Sequence, residues 1–205
     1  MNLENETLSM INQFFPAYIQ LENLGINQTS LKDLKKYRLN YLDIGCGNGD
    51  LVNFFLEQGI KAEGIDTNAP KGFNFIKLNI GDYKNESKGK IPRKDQYYDL
   101  ITAHSIHPFL KFSLGLTKDE GIFIVKEALR VLNFGGMFMA YPGLYKIEEN
   151  IKNESFRIEH HISGLGLRRS DEDILKIFSK LRELGINNEN ILKTMKYKTL
   201  IFKHY

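Results

Sequence analysis

Three glycines at alternate positions, Gly45, Gly47 and Gly49, separate a short β-prone apolar run, Arg38 to Ile44, from a helix-forming run, Leu51 to Gln58. Absent side chains at such a turn let a ligand reach the backbone. The N–H groups at the start of the following helix, at the positive end of its dipole, favour a negative or polar ligand. Asp50 stands in a capping position before that helix, and Gly59 follows its last turn as a stop. About twenty residues beyond Gly47 a second short strand, Lys61 to Asp66, ends in an acid, the interval at which a carboxylate grips ribose hydroxyls. Strand, glycine turn, helix, strand and acid in this order point to an adenosine-containing ligand. The spacing argues against a pyrophosphate, because a dinucleotide site uses Gly-x-Gly-x-x-Gly, whereas here Gly-x-Gly-x-Gly is followed by Asp50.

Further along, His104 and His107 follow a strand, Tyr97 to Ala103. Ligands of open α/β sheets collect at the carboxyl ends of strands, and an imidazole titrates near neutrality, so either histidine can take a proton from a nucleophile. The plainer alternative for each is packing against the ligand or a bond to a backbone carbonyl. Tyr141 ends the next strand, Met137 to Tyr141, and offers a phenol to orient a substrate or simply forms the sheet rim. Residues 144–169 break the strand–helix rhythm, and an insertion of this length at the carboxyl edge usually covers a site. It carries His160, His161, Arg168 and Arg169, and either the histidines or the arginine pair are candidate substrate contacts. No Asp, Glu or Cys falls at ligand spacing from them, so no metal is expected. Cys46, the one cysteine, excludes an intrachain disulfide and reads as a small half-buried spacer in the glycine turn rather than a nucleophile.

Leu42-Asp-Ile-Gly-Cys-Gly-Asn-Gly49 resembles the first motif of the class I S-adenosylmethionine-dependent methyltransferases. The resemblance implies that the turn, with Asp43, Gly45, Cys46, Gly47 and Asp50, surrounds the methionine end of S-adenosyl-L-methionine, while Asp66 and its neighbour Thr67 hold the ribose. Phe75 to Asp82 matches the family's next motif, which brackets the adenine. Asn79 falls where the family usually has Asp, with Ile80 beside it and Asp82 three residues on. An amide oxygen and a carboxylate both accept from the adenine amino group, so Asn79 and Asp82 stay open as the contact. His104-Ser-Ile-His-Pro108 corresponds to the fourth motif, facing the transferable methyl, which makes His104 a cofactor contact as well as a candidate base. Ala128 to Gly136 resembles the helix end and turn that the family writes Arg-Val-Leu-Lys-Pro-Gly-Gly, with Asn133 and Phe134 replacing Lys and Pro. The Pro-Pro-Tyr segment of methyltransferases acting on nucleobase amino groups is missing, as is the acid with which aminopropyl transferases hold a polyamine. Both activities lose weight.

The elements that must position these residues fit one domain of 205 residues and 42% hydrophobic composition. The net charge of +3 neither requires nor excludes a nucleic-acid partner. Residues 1–37 form a helical preface, with Leu8, Ile11, Phe15 and Ile19 at helical spacing; a sharper reading has it close over the ligand through Phe14, Phe15 and Tyr18. Between Asp66 and the strand Gly72 to Leu78 the chain is too short for a crossover helix and is broken by Pro70. Lys84 to Lys94 reads as a solvated loop. Thr117 to Leu132 reads as a helix with a Thr117/Glu120 capping box, and Ile174 to Leu184 as another. Asn190 to Lys196 and Lys198 to Lys203 close the chain as two strands.

The expectation is a doubly wound, Rossmann-like α/β methyltransferase fold. Its mixed seven-stranded sheet ends in an antiparallel hairpin, with residues 38–205 as the cofactor-binding domain and 1–37 packed on it. The function expected is methyl transfer to a small molecule, with an RNA base or a protein side chain open as acceptor. A non-catalytic cofactor-binding or scaffolding subunit is the competing reading, and a dehydrogenase a third. With no apolar leader or run long enough to span a bilayer, the location expected is cytoplasmic, without a membrane partner. Nothing in the sequence speaks to oligomeric state.

Overall fold

The computed structural model describes residues 35–104, 106, 108–109, 118–141, 143–144, 147–151, 155–162 and 197–204, with isolated positions 32, 179 and 183. At its centre is β1 (Asn40–Ile44), which pairs in parallel with β2 (Lys61–Asp66) on one side and β4 (Tyr98–His104) on the other. Beyond β2 lies the three-residue edge strand β3 (Phe75–Lys77), and beyond β4 lies β5 (Leu132–Tyr141). β7 (Tyr197–Lys203) enters antiparallel between β5 and β6 (Phe156–Ile162), so the seven-stranded order is β3-β2-β1-β4-β5-β7-β6.

Side chains alternate across each strand, and the two faces bury separate clusters. Leu42, Ile44, Ile101, Ala103, Phe138 and Ala140 share one face with Ile124, Val125, Ala128 and Leu129 of a helix, Asp119–Val131. Tyr41, Leu100, Met139, Tyr141 and Leu200 share the other with Leu51, Val52 and Phe55 of α1 (Asp50–Glu57). The sheet is therefore covered on both sides, as the doubly wound expectation requires, and β1 is buried on both. The connection from β2 to β3 carries no helix, as its length dictates.

Several boundaries differ from the expectation. Gly49, at φ 81°, is the N-cap of α1, and Asp50 is the first helical residue, so Asp50 does not cap. Only a glycine takes that left-handed conformation without strain, which is why the cap falls one residue early. Gly59, at φ 75°, ends the helix as expected. The stretch Lys84 to Lys94 is not a loose loop. It forms a helical turn, Tyr83–Asn85, and α2 (Glu86–Gly89), then buries Ile91 to 1% exposure. The Ile91 N–H donates to Glu127, and Arg130 donates to the carbonyls of Ile91 and Arg93 and to Asp95 and Glu127. Charge composition alone concealed that clamp.

The helix Asp119–Val131, α3, begins after Lys118 with no side-chain cap, and Thr117 lies outside the described residues. The second expected closing strand is present as β7, but its antiparallel neighbour is β6, drawn from residues 144–169, where a covering insertion was expected. Residues 190–196, and all of 174–184 save positions 179 and 183, lie outside the described residues, as does 1–37 save positions 32 and 35–37. Among the described residues no helix is long and apolar enough to cross a membrane.

Candidate functional site

The strand order reverses between β1 and β4, since β1 leads to β2 and β3 on one side and β4 leads to β5 on the other. The crevice at their carboxyl ends is where an open α/β sheet receives a ligand. The glycine turn sits there. All three of its glycines have left-handed backbone, with φ of 77° at Gly45, 53° at Gly47 and 81° at Gly49.

Two of those glycines are required by the protein's own packing. A Cβ on Gly45 would collide with Cγ2 of Ile106, and one on Gly49 with the Phe75 ring. The turn's donors are also largely engaged: the N–H groups of Gly45 and Cys46 both bond to the Ile65 carbonyl, and that of Gly49 to the Cys46 carbonyl. The Gly47 N–H donates to Oδ2 of Asp66 at 3.1 Å. What the turn leaves open is the start of α1, whose first N–H groups, Asp50 to Val52, have no side-chain cap. The expected backbone cradle thus lies at the helix start more than in the glycines.

Asp66 is half-buried, and Thr67 and Asn68 fix its other oxygen. The Asn68 N–H donates to Oδ1 at 2.8 Å, and the Thr67 hydroxyl reaches the same atom at 3.3 Å. Each carboxylate oxygen has two lone-pair sites, so the group retains capacity for a further donor. The Asp66 carbonyl accepts from the Leu78 N–H at 3.0 Å, bringing the β3 end alongside. There Asn79 is exposed and Asp82 half-buried, while Ile80 is buried in the core cluster.

Asp43, the penultimate residue of β1, lies on the α1 face and is 2% exposed. Its Oδ1 accepts from the Thr102 hydroxyl at 2.9 Å, and the Tyr41 hydroxyl meets Thr102 Oγ1 at 2.5 Å. Burial, together with the nearby Asp66 charge, pushes the Asp43 carboxyl up to about 7 against the Thr102 bond, which favours ionisation. Cys46 is buried beside Gly64, whose missing Cβ makes room for its sulfur. Burial, then Asp43 and Asp66, raises the thiol's pKa, so the thiolate that a nucleophile needs is suppressed.

His104 and Tyr141 are register partners on β4 and β5, with rings stacked at 5.1 Å and 21°. Burial lowers His104 to about 4, so the ring is neutral at physiological pH. Tyr141 is 5% exposed, more buried than the rim position anticipated. His160 is not brought to this pair. It is in register with Thr199, which pairs with Ala140, and bonds to Thr199 Oγ1 at 3.0 Å and Glu148 at 3.3 Å. Ala140 belongs to the α3-face cluster, so His160 lies on the opposite face from His104 and Tyr141, two strand spacings (about 10 Å) from Tyr141 and three (about 14 Å) from His104. His161, on the other face of β6, bonds to Glu159 at 2.7 Å. Tyr18, His107, Arg168 and Arg169 lie outside the described residues. No group of three metal-ligating side chains occurs among the described residues.

Thr102 and Tyr41 are not among the candidates that motif spacing singles out. The signal was available, since Tyr41 and Asp43 fall on one strand face at a spacing of two, and Thr102 interrupts an apolar strand on its neighbour.

No family model matches the chain, and no curated protein sequence does. Among solved structures the chain is similar to the plantazolicin methyltransferase BpumL in complex with SAH, at 14% identity over 99% of this chain and 95% of that one, with a TM-score of 0.47. It is similar to a SAM-dependent methyltransferase from Archaeoglobus fulgidus at 16% identity, over 91% and 98% of the two chains, TM-score 0.43. It is also similar to the [4+2]-cyclase SpnF at 16% identity, over 85% and 79%, TM-score 0.46.

Proposed function

We propose that the chain is an S-adenosyl-L-methionine-dependent methyltransferase whose acceptor is a small molecule. The observation that carries this reading is the convergence, at the switch point of the sheet, of three things: an acid held against the glycine turn, a buried acid beneath it and an uncapped helix start. The residues fit the cofactor. Asp43 is a buried carboxylate held by the Thr102 hydroxyl with no cation beside it among the described residues, and the first N–H groups of α1 are uncapped. Asp66, supported by Thr67, takes the ribose hydroxyls, and Asn79 or Asp82 the adenine amino group. Asp43, the turn from Gly45 to Gly47, and Asp50 surround the methionine end.

When bound, the cofactor supplies a methyl group on a sulfonium, an already activated leaving group. The protein has to align the acceptor with that methyl and keep water out. His104, neutral and stacked on Tyr141, accepts a hydrogen bond from the acceptor and so orients its lone pair. With a value near 4 it is a weak base, which suits it to orientation more than to removing a proton from an unactivated alcohol.

Calorimetric titration with S-adenosylmethionine and its demethylated product tests the binding half, with micromolar association expected. Extract incubated with protein and methyl-labelled cofactor, then separated into small molecules, RNA and protein, tests the other half. Label in the small-molecule fraction supports the reading, and label in RNA or protein changes the acceptor class. Binding without any labelled acceptor favours a non-catalytic cofactor-binding subunit, and no binding ends both readings.

A further inference from the structure

Tyr41, Thr102 and Asp43 form a line of oxygen atoms inside the sheet, exposed by 1%, 0% and 2%. Asp43 and Thr102 are directly opposed on β1 and β4, and Tyr41, two residues before Asp43, shares their face. A carboxylate can only accept, so the Thr102 proton is directed to Asp43 Oδ1 at 2.9 Å. That leaves Thr102 Oγ1 to accept the Tyr41 proton at 2.5 Å. Each bond in such a chain polarises the next.

The groups acting on Asp43 from every element around it are few. They are Tyr41 on its own strand, Thr102 on β4, Asp66 at the end of β2 and, through its effect on the thiol, Cys46 in the glycine turn. Among the described residues none is a cation, and Asp66 opposes ionisation. A buried carboxylate without a counter-charge takes up a proton unless hydroxyl donors or a bound cation hold it ionised.

We infer that the Tyr41 and Thr102 hydroxyls are positioning groups that keep the Asp43 carboxylate oriented and ionised to receive a cationic group of the ligand, the α-ammonium of the methionine moiety. The inference rests on the cofactor reading above and deepens it. Its consequence is a pH-dependent affinity confined to ligands that carry the ammonium. S-adenosylhomocysteine has that group, and 5′-methylthioadenosine lacks it while keeping the adenosine.

The test is calorimetric titration of the full chain with both compounds from pH 5.5 to 9. In the wild type, S-adenosylhomocysteine weakens about tenfold for each unit below the Asp43 value, while methylthioadenosine does not follow that titration. Thr102→Val moves the midpoint for S-adenosylhomocysteine upward by about one to two units, a loss of about fivefold to fiftyfold at neutral pH that narrows as the pH rises toward 9. Thr102→Ser restores the wild-type profile. Tyr41→Phe, which removes one oxygen and keeps the ring on Phe55, moves it less in the same direction. An unmoved midpoint in Thr102→Val and Tyr41→Phe, or equal weakening of both ligands at all pH, overturns the inference and leaves the cofactor reading standing. Absence of binding to the wild type overturns both. Circular dichroism identifies a misfolded variant, in which case Tyr41→Phe alone decides.

Discussion

The main-chain N–H of Gly47 donates to Oδ2 of Asp66 across 3.1 Å, joining the turn after β1 to the turn after β2. The acid is therefore aimed at the glycine turn and not at bulk water. Bonds from Asn68 and Thr67 to the other oxygen fix its rotation, so under the proposed function a ribose between the two turns would meet an acceptor that needs little further ordering.

Asp66→Ala weakens S-adenosylmethionine binding by about tenfold to hundredfold, since hydrogen bonds to a charged group contribute roughly 1.5–3 kcal/mol. Asp66→Asn, which retains one acceptor, loses less. Calorimetry at constant pH measures both, and an unchanged affinity in Asp66→Ala would remove the ribose assignment.

Gly45→Ala and Gly49→Ala destabilise the fold even without ligand. Both positions have left-handed backbone, and the added Cβ runs into Ile106 and Phe75 respectively. Strain and overlap together cost about 1–3 kcal/mol or more, a fall of about 2–4 °C in Tm per kcal/mol at this chain length. Adding Ile106→Ala to Gly45→Ala relieves the overlap and leaves the backbone strain, so recovery by thermal denaturation is partial. Full recovery would show that the φ angle does not matter.

The same comparison indicates how much the sequence disclosed. Strand, turn, helix, strand and acid were legible from Arg38 to Asp66 because apolar runs and glycines act locally, and β2 has the limits expected of it. The reason for the glycines was not legible, because Ile106 and Phe75 come from β4's exit and from β3, contacts of long sequence separation. Lys84 to Lys94 misled for a similar reason. Its lysines face water, but the partners that order it lie elsewhere in the chain, Glu127 and Arg130 on α3 and, through Arg93, Glu63 on β2. His160 and His161 looked equivalent as neighbours, yet a strand sends adjacent side chains to opposite faces, and the stretch had not been read as a strand.

His104 and Asp43 give stability profiles of opposite slope. Burial lowers His104 from 6.5 to about 4, so its contribution is present above 6.5 and lost as pH falls through 4. Asp43 rises from 3.8 to about 7, so its contribution is present below 3.8 and lost as pH rises through 7. In the wild type the two partly offset, and variants separate them. Urea midpoints measured from pH 3.5 to 8 lose the acid-side fall in His104→Gln and the neutral-side fall in Asp43→Asn. Curves parallel to the wild type would contradict the burial of both groups.

Arg130→Ala releases the segment from Ile91 to Asp95. Arg130 is half-buried and donates to two carbonyls and two carboxylates, and its loss leaves the buried Glu127 without its cation. A cost of about 2–3 kcal/mol is expected, below that of a fully buried pair. The clamp lies before β4, at the amino edge of the sheet, so affinity for S-adenosylmethionine stays within about twofold of the wild type by the usual independence of distant sites. A large loss of affinity together with unchanged Tm would reverse the assignment of this residue from scaffold to site.

The place of β7 bears on how the molecule is assembled. Among the described residues β6 pairs with β7 alone, and β7 follows it in the chain by a long interval, so β6 waits for that partner while the interval is synthesised. The outer edge of β5 waits for the same strand. Sealing that half of the sheet is thus a late, long-range event, the kind of closure that slows folding and exposes a nascent chain to wrong pairings. The side holding the glycine turn is built from neighbours in sequence and has no such delay.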